Sequence, residues 1–342
     1  MIRRTMLTGL MLGLGACALP HVQLGLTPGP DFSGPLIEPD AFIVQDGARL
    51  PYRLWTPAQA DPWAVLVALH GMNDHSAAWR LAGPWWAEQG IATYAYDQRG
   101  FGRAPGRGIW AGEAVMVEDL RTVVSLVRAR HPNARIAVVG ESMGGAVAIS
   151  AFASDRPPAS DQAILLAPAV WGWSSQNVVN RASLWAAARV LGSRAVEAPD
   201  WAVRHIRATD NLAELVANGT DPLFIRATRF DTLSGLVDLM ESASRALGSV
   251  RVPTMLMYGA HDQIIEPGPL RRALIRAGDR PGLRTAFYPD GWHLLNRDLQ
   301  AEVVFRDVAA ILGDPGTSLP SRASDVLAQL DARMAPGRKD RF

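Results

Sequence analysis

Arg135-Ile-Ala-Val-Val-Gly140-Glu141-Ser142-Met143-Gly144-Gly145 is the stretch on which the reading of this chain turns. Its first half is a short β-branched run. Its second half continues as a small-residue helix over 144–153, so the serine falls on the tight turn between strand and helix. Such a turn strains the serine's backbone and needs glycines on both sides, because a Cβ there would strike neighbouring backbone. A bare Gly-x-Ser-x-Gly recurs by chance in small-residue loops. Between a strand and a helix it reads as a nucleophile elbow, with Ser142 as the nucleophile.

Serine attacks a carbonyl only once a base has taken its proton, so a histidine is required on a loop beyond the last strand. Of the seven histidines, His293 in Pro289-Asp290-Gly291-Trp292-His293 follows the final apolar run. His21 falls in a Pro/Gly-rich lead-in, His131 at a helix end and His205 in a helical insertion. His70 reads as shaping its own loop and His261 as a neighbour of the acid. That acid is expected after the penultimate strand, where Thr254-Met-Leu-Met-Tyr-Gly259-Ala-His-Asp262 supplies Asp262 to fix the imidazole tautomer and stabilise the imidazolium. Asp290 stands beside His293 as a weaker rival and reads as part of the turn. Two N–H donors must face the developing oxyanion. They are expected from Met143, directly after the nucleophile, and from Met72 in His70-Gly71-Met72. The chain order Ser, Asp, His is that of the α/β hydrolases, unlike the orders of chymotrypsin or subtilisin.

From about residue 41, short apolar runs alternate with amphipathic ones, which predicts a mostly parallel sheet with helices on both faces. Strands are expected near 42–44, 50–55, 64–70, 92–97, 135–139, 163–166, 254–258 and 284–288. Gln45-Asp46-Gly47 joins the first two as an antiparallel hairpin. Val117, Leu120, Val124 and Val127 stand at helical spacing and predict a helix over 113–130, closed by Pro132. The interval 171–250 breaks the alternation with helical stretches and no convincing strand, and is expected to form a cap. The hydrolase domain is placed at 41–312. After it comes a tail at 313–342, with a linker and one short helix over 324–334, to which no role is assigned.

At 342 residues, 48% hydrophobic and 20% charged, the chain can bury a full core as one large domain with an insertion. A net charge of +1 gives no footing for nucleic-acid binding, which needs clustered basic side chains. The single cysteine, Cys17, excludes disulfide frameworks, thiolate zinc sites and a cysteine nucleophile in the folded body. The one lysine, Lys339, lies in the polar tail, so Schiff-base, Ser-Lys and P-loop chemistry lack a candidate in the body. No His-Glu-x-x-His motif occurs, and neither a metal nor a cofactor is expected. At the start, Arg3-Arg4 and the apolar run 6–16 predict a signal peptide over 1–16. Leu14-Gly15-Ala16-Cys17 resembles the bacterial lipobox. Lipid on Cys17 would anchor the protein to a membrane of the cell envelope, facing the periplasm, through a Pro/Gly-rich tether at 17–40. The rival reading is cleavage at Ala16-Cys17-Ala18, which would release a soluble secreted or periplasmic protein.

Five motifs in order carry a family resemblance: His70-Gly-Met-Asn-Asp-His-Ser-Ala-Ala-Trp79, Tyr96-Asp97-Gln-Arg-Gly-Phe-Gly102, Gly140-Glu-Ser-Met-Gly-Gly145, Gly259-Ala-His-Asp262 and Gly291-Trp-His-Leu-Leu-Asn296. Over roughly 40–312 the chain resembles the monoacylglycerol lipase and lysophospholipase branch of the α/β hydrolases, the hydrolase-4 or "serine aminopeptidase" type. The resemblance implies an α/β-hydrolase fold with an eight-stranded, mostly parallel sheet and a helical cap inserted after strand six. It also implies hydrolysis of single-acyl esters, monoacylglycerol or lysophospholipid, through an acyl-enzyme on Ser142. Two positions depart from the family pattern, Gln98 where histidine is common and Ala104 where serine is. Both are expected to alter loop packing and leave the triad intact. Trp171, Trp173, Trp185 and Trp201 in the cap, with Trp85 and Trp86 before it, either favour an acyl group or fill the space between cap and sheet. Two other readings stand beside this one. An aminopeptidase or amidase of the same fold would turn Glu214, Asp221, Asp231 or Asp238 toward a substrate amine. A non-catalytic envelope lipoprotein would use the fold as a binding module, but would have no use for serine, aspartate, histidine and oxyanion motifs together.

Overall fold

The computed structural model describes residues 19–58, 61–199 and 205–335. The expected signal peptide, Cys17 and Trp201 lie outside these residues. The sheet opens on an antiparallel edge of β1 (Leu36–Ile37), β2 (Ala41–Ile43) and β3 (Arg49–Trp55). β2 and β3 form the expected hairpin, turning at Gly47, whose φ of 79° disfavours any side chain. Next come β4 (Ala64–Leu69), α1 (Ala82–Glu88), β5 (Ile91–Tyr96), α2 (Glu113–Arg130), β6 (Arg135–Glu141), α3 (Met143–Ala153) and β7 (Gln162–Leu166). The insertion holds α4 (Val178–Val190), β8 (Ala195–Val196), α5 (Leu212–Thr220), β9 (Thr228–Arg229) and α6 (Phe230–Ala246). The chain returns to the sheet with β10 (Thr254–Gly259), α7 (Pro267–Ala277) and β11 (Leu283–Tyr288), then runs through α8 (Ala301–Gly313) and α9 (Val326–Met334).

Strand order is β1-β2-β3-β5-β4-β6-β7-β10-β11, and every pairing from β5 to β11 is parallel. All eight expected strands are present; the ninth, β1, is too short to show as a periodicity. β4, β5, β6, β7 and β10 are apolar runs because helices cover both faces of the sheet. Along β4, Val65, Val67 and Leu69 join the core beneath α2, α3 and α6, while Ala64, Leu66 and Ala68 join the core beneath α1 and α8. In a parallel sheet of this kind the carboxyl ends of the strands gather on one edge, where ligands bind.

Three segments differ from expectation. The interval read as cap, 171–250, divides: Leu239, Met240, Ala243 and Leu247 of α6 and its end lie in the main core, so this helix belongs to the layer covering the sheet. What stands outside that layer includes the β8–β9 ladder, whose two-residue strands leave no periodic signal. The stretch read as a tether is docked in part. The Gln23 backbone N–H donates to the Trp110 carbonyl at 2.8 Å, its side chain donates to the Ile109 carbonyl at 2.6 Å, and the Leu26 N–H donates to Asp46 at 2.8 Å. The tail closes the far edge of the sheet: the Phe287 N–H donates to the Ser324 carbonyl at 2.8 Å, and Val326 and Leu330 of α9 are buried in the core.

Candidate active site

Ser142 sits directly after β6, at φ 53° and ψ −114°, a conformation costing a residue with a Cβ about 1–3 kcal/mol. Pairing on both sides holds it there. Gly140 lies opposite Leu69 of β4 and Glu141 opposite Leu166 of β7, the Ser142 N–H donates to the Leu166 carbonyl at 2.9 Å, and its own carbonyl accepts from Ala169 at 2.9 Å. The glycines are obligatory for the predicted reason. A Cβ on Gly144 would come within 2.5 Å of the Leu69 carbonyl oxygen, and one on Gly140 within 2.5 Å of Gly144 backbone. Met143 opens α3, so its N–H has no acceptor within the helix and lies at the positive end of the helix dipole.

His293 and Asp262 arrive from the ends of β11 and β10. Their loops are clamped together: the His261 N–H donates to the Gly291 carbonyl at 2.9 Å, and a Cβ on Gly259 would meet Gly291 backbone at 2.5 Å. His293 Nδ1 lies 2.9 Å from Asp262 Oδ2, and Asp262 Oδ1 accepts the N–H groups of Ile264 and Ile265 at 2.8 and 2.9 Å. Nδ1–H therefore points at the carboxylate and Nε2 keeps its lone pair. Burial alone would lower the His293 pKa, but the charge and hydrogen bond of Asp262, with help from Glu141, hold it above its ordinary value. Asp290, the rival acid, is exposed, and His261 stacks on Trp292 with ring centroids 5.2 Å apart.

The turn after β4 lies against Ser142: a Cβ on Gly71 would stand 3.4 Å from Ser142 Cβ. That brings Gly71-Met72 beside Ser142. Burial pushes the His70 pKa below its ordinary value; its Nε2 accepts the Gln98 N–H at 3.0 Å, which leaves Nδ1–H to donate to the Gly71 carbonyl at 2.8 Å. The Gln98 side chain donates to the His70 carbonyl at 2.7 Å, so the departure at 98 is absorbed by the packing of this loop, and Ala104 is simply buried.

Ser142, His293 and Met72 line one cavity of about 510 Å³. Its apolar wall is Ala208, Leu215, Phe224, Ile264 and Leu294, and Glu197, Asn218 and Arg226 are among its polar lining residues. Of the tryptophans singled out in the sequence, none of those among the described residues lines it. Trp86 packs on Trp79 and Phe305, Trp85 on Phe305, Trp171 against the core, and Trp185 is half exposed beneath Arg189. The acidic residues considered for an amine are likewise engaged elsewhere. Glu214 pairs with Arg80 at 2.5 Å, Asp221 with His75 at 2.9 Å and Asp231 with Arg229 at 2.6 Å, while Asp238 accepts from the Trp173 indole at 2.6 Å.

Sequence reading passed over a buried ionic cluster in the cavity wall. Arg297 donates to Asp74 at 2.7 Å and to both oxygens of Glu141 at 2.7 and 3.0 Å. It also passed over Asp298, whose carboxylate accepts the Trp292 N–H and the Thr209 hydroxyl, each at 2.7 Å, and whose pKa burial pushes up to about 7. Neither arrangement leaves a spacing signature, since Asp74 and Glu141 lie far from Arg297 in the chain and Thr209 lies far from Asp298. Among the described residues no cluster of histidine, cysteine, aspartate and glutamate is arranged to hold a metal.

A nine-stranded α/β sheet with a strained serine at the end of one strand and a histidine–aspartate pair at the ends of two others defines an α/β hydrolase. The family model Hydrolase_4, "Serine aminopeptidase, S33", matches residues 60–300, and the chain belongs to that family. A monoacylglycerol lipase of Mycolicibacterium smegmatis is 27% identical over 282 residues, covering 79% of this chain and 95% of that protein. Human monoglyceride lipase is 26% identical over 286 residues, covering 79% and 90%. Among solved structures, a soluble variant of the Saccharomyces cerevisiae monoglyceride lipase with a substrate analog superposes at a TM-score of 0.66, with 17% identity over 85% of this chain and 99% of that one. The monoacylglycerol lipase of Paleococcus ferrophilus gives 0.62, with 17% identity over 78% and 99%.

Proposed function

We propose that the protein is a serine hydrolase that cleaves carboxylic esters of single-acyl lipids, monoacylglycerol or lysophospholipid, with Ser142, His293 and Asp262 as its catalytic triad. Ester hydrolysis is the activity named for its lipase relatives. The observation that carries the finer reading is the cavity that presents Ser142 and an Asp262-held His293 to a largely apolar wall. In this mechanism Ser142 Oγ attacks the ester carbonyl carbon while its proton passes to His293 Nε2, and the oxyanion takes hydrogen bonds from the Met72 and Met143 N–H groups. The bond to the alcohol then breaks, and His293 returns the proton to the leaving oxygen. Water repeats the sequence on the acyl-enzyme and releases the fatty acid. The apolar wall favours an acyl chain over an amino-acid side chain, and the engagement of Glu214, Asp221, Asp231 and Asp238 leaves those groups unavailable to a substrate amine. Hydrolysis of monoacylglycerol, lysophospholipid, short p-nitrophenyl esters and aminoacyl anilides, with Ser142→Ala as the blank, tests the reading. Ester cleavage lost in the blank is expected. Cleavage of anilides alone would point to the peptidase, and no turnover by folded protein to a binding module.

The same reading places the enzyme in the bacterial cell envelope. Its support is the basic start, the apolar run 6–16 and the lipobox-like Leu14-Gly15-Ala16-Cys17, which would put a lipid on Cys17 and the active site beside its ester substrates.

A further inference from the structure

Arg297 is buried with its two carboxylate partners, yet the three come from chain segments far apart: Asp74 is 223 residues away and Glu141 is 156. Each belongs to a different part of the site. Asp74 follows Met72 on the turn after β4, Glu141 is the residue immediately before Ser142, and Arg297 lies on the loop that carries His293. The guanidinium's planar fork is what lets one side chain hold both, with Nη1 on Asp74 and Nη2 on both oxygens of Glu141. The loop itself is tied down around it. The Arg297 N–H donates to the Leu294 carbonyl at 2.7 Å, and its carbonyl accepts from Asn211 Nδ2 at 3.0 Å.

Stability is a poor explanation for such a cluster. Desolvating three charges offsets most of their attraction, and well-packed apolar residues of similar volume hold a fold together as well or better. Geometry is the better explanation, because small displacements of reacting groups are costly in rate. We propose that Arg297 is a positioning residue that, by gripping Asp74 and Glu141 from the histidine loop, sets the spacing among the Met72 amide, Ser142 and His293. The inference rests on the catalytic reading given above.

The charges around it fit this arrangement. Burial alone would raise the Asp74 pKa, but Arg297 holds it below the usual carboxylate range. Burial and the like charge of Asp74 leave Glu141 above that range in spite of Arg297. Glu141 in turn helps keep the His293 pKa up, and Arg297 opposes it. Glu214 of α5, paired with Arg80, faces Arg297 from the cap side.

The test is turnover of p-nitrophenyl butyrate per active site, with sites titrated by a fluorophosphonate, for wild type, Ser142→Ala, Arg297→Met, Arg297→Lys and Glu141→Gln. Arg297→Met is expected to lose about 100-fold in kcat with KM within about threefold, the signature of misplaced reacting groups and not of lost binding. Arg297→Lys restores the charge but not the fork, and should recover only part of that loss. Glu141→Gln should lower kcat and move the acid limb of the kcat/KM profile to lower pH, because a charge that supports the imidazolium is gone. A structural role alone would reduce the number of titratable sites and leave kcat per site unchanged. Folded Lys and Gln variants with kcat per site near wild type and an unmoved acid limb would overturn the proposal, and they decide it even if the Met variant does not fold. Absence of wild-type turnover would sink the catalytic reading itself, which separates the two failures.

Discussion

At His293 two influences oppose each other. Burial disfavours the imidazolium, while Asp262, 2.9 Å away, and Glu141 favour it, and the carboxylates prevail. A base must be neutral to accept the Ser142 proton, so a raised pKa sets the sign of the pH dependence. Activity is expected to be full on the alkaline side and to fall as pH drops through the His293 pKa, with the acid limb of kcat/KM above the ordinary histidine value of about 6.5. Asp262→Asn should move that limb to lower pH and reduce kcat by about 10⁴-fold, because an amide no longer selects the Nδ1–H tautomer. A pH–rate profile of the two proteins on one short ester checks both effects, and equal kcat values would remove Asp262 from the triad. Ser142, Asp262 and His293, the three residues proposed as the triad, were legible in the sequence because each follows a recognisable apolar strand. The roles of Arg297 and Asp298 were not, because Asp74 and Glu141 for the one and Thr209 for the other reach them only through the packing of distant segments.

α3 shows how an element can be read for its chemistry and still owe its position to a neighbour. Its first turn, Gly144 and Gly145, lets it lie close against β4 and β6, and a Cβ on Gly144 would meet the Leu69 carbonyl. Gly144→Ala is expected to push the helix off the sheet. The expected cost is about 1–3 kcal/mol of stability, as for other overpacked sites, with loss of activity as Ser142 moves. Urea denaturation with a parallel ester assay measures both; a variant with wild-type stability and rate would show that the contact yields freely. α6 is the counterexample. Its helical pattern was visible, but periodicity reports that one face is apolar, not which neighbour that face meets. The pattern over 230–246 is therefore compatible with a cap helix, whereas Leu239, Met240 and Ala243 pack into the main core. The two-residue strands β1, β8 and β9 were invisible for a simpler reason, since alternation needs more than two positions.

Across the whole molecule, polar links around the cavity join the segment between β7 and α6 to the body, beside the core packing of Val170 and Ile225. The Leu294 N–H donates to the Ala208 carbonyl at 2.9 Å, Thr209 donates to Asp298 at 2.7 Å, His75 meets Asp221 at 2.9 Å and Asn73 donates to Thr228 at 2.8 Å. On its outer side Val178, Val179, Val190, Leu212 and Val216 are exposed, and among the described residues no helix is long and apolar enough to cross a membrane. Attachment through Cys17 is therefore tested at the scale of the cell. With the lipid anchor proposed above, the wild-type protein should sediment with bacterial membranes and Cys17→Ser should not, while enzyme activity per mole stays the same. Equal partitioning of the two would support the soluble alternative.

The sequence by itself determined the alternation of strands and helices, the hairpin at the sheet edge, and the order of serine, aspartate and histidine at strand ends. These are local properties: apolar periodicity, turn glycines and residues next to one another in the chain. Only the tertiary structure decided which residues wall the cavity, and it placed Leu215, Phe224, Ile264 and Leu294 there while Trp85, Trp86, Trp171, Trp173 and Trp185 pack elsewhere. Tertiary packing likewise docked Gln23 on the 106–110 loop, laid α9 over the last strand, and gathered Asp74, Glu141 and Arg297 beside Ser142. Each of these depends on side chains remote in sequence meeting in one place. The energy of such a meeting depends on distance and burial, and neither is written in the order of residues.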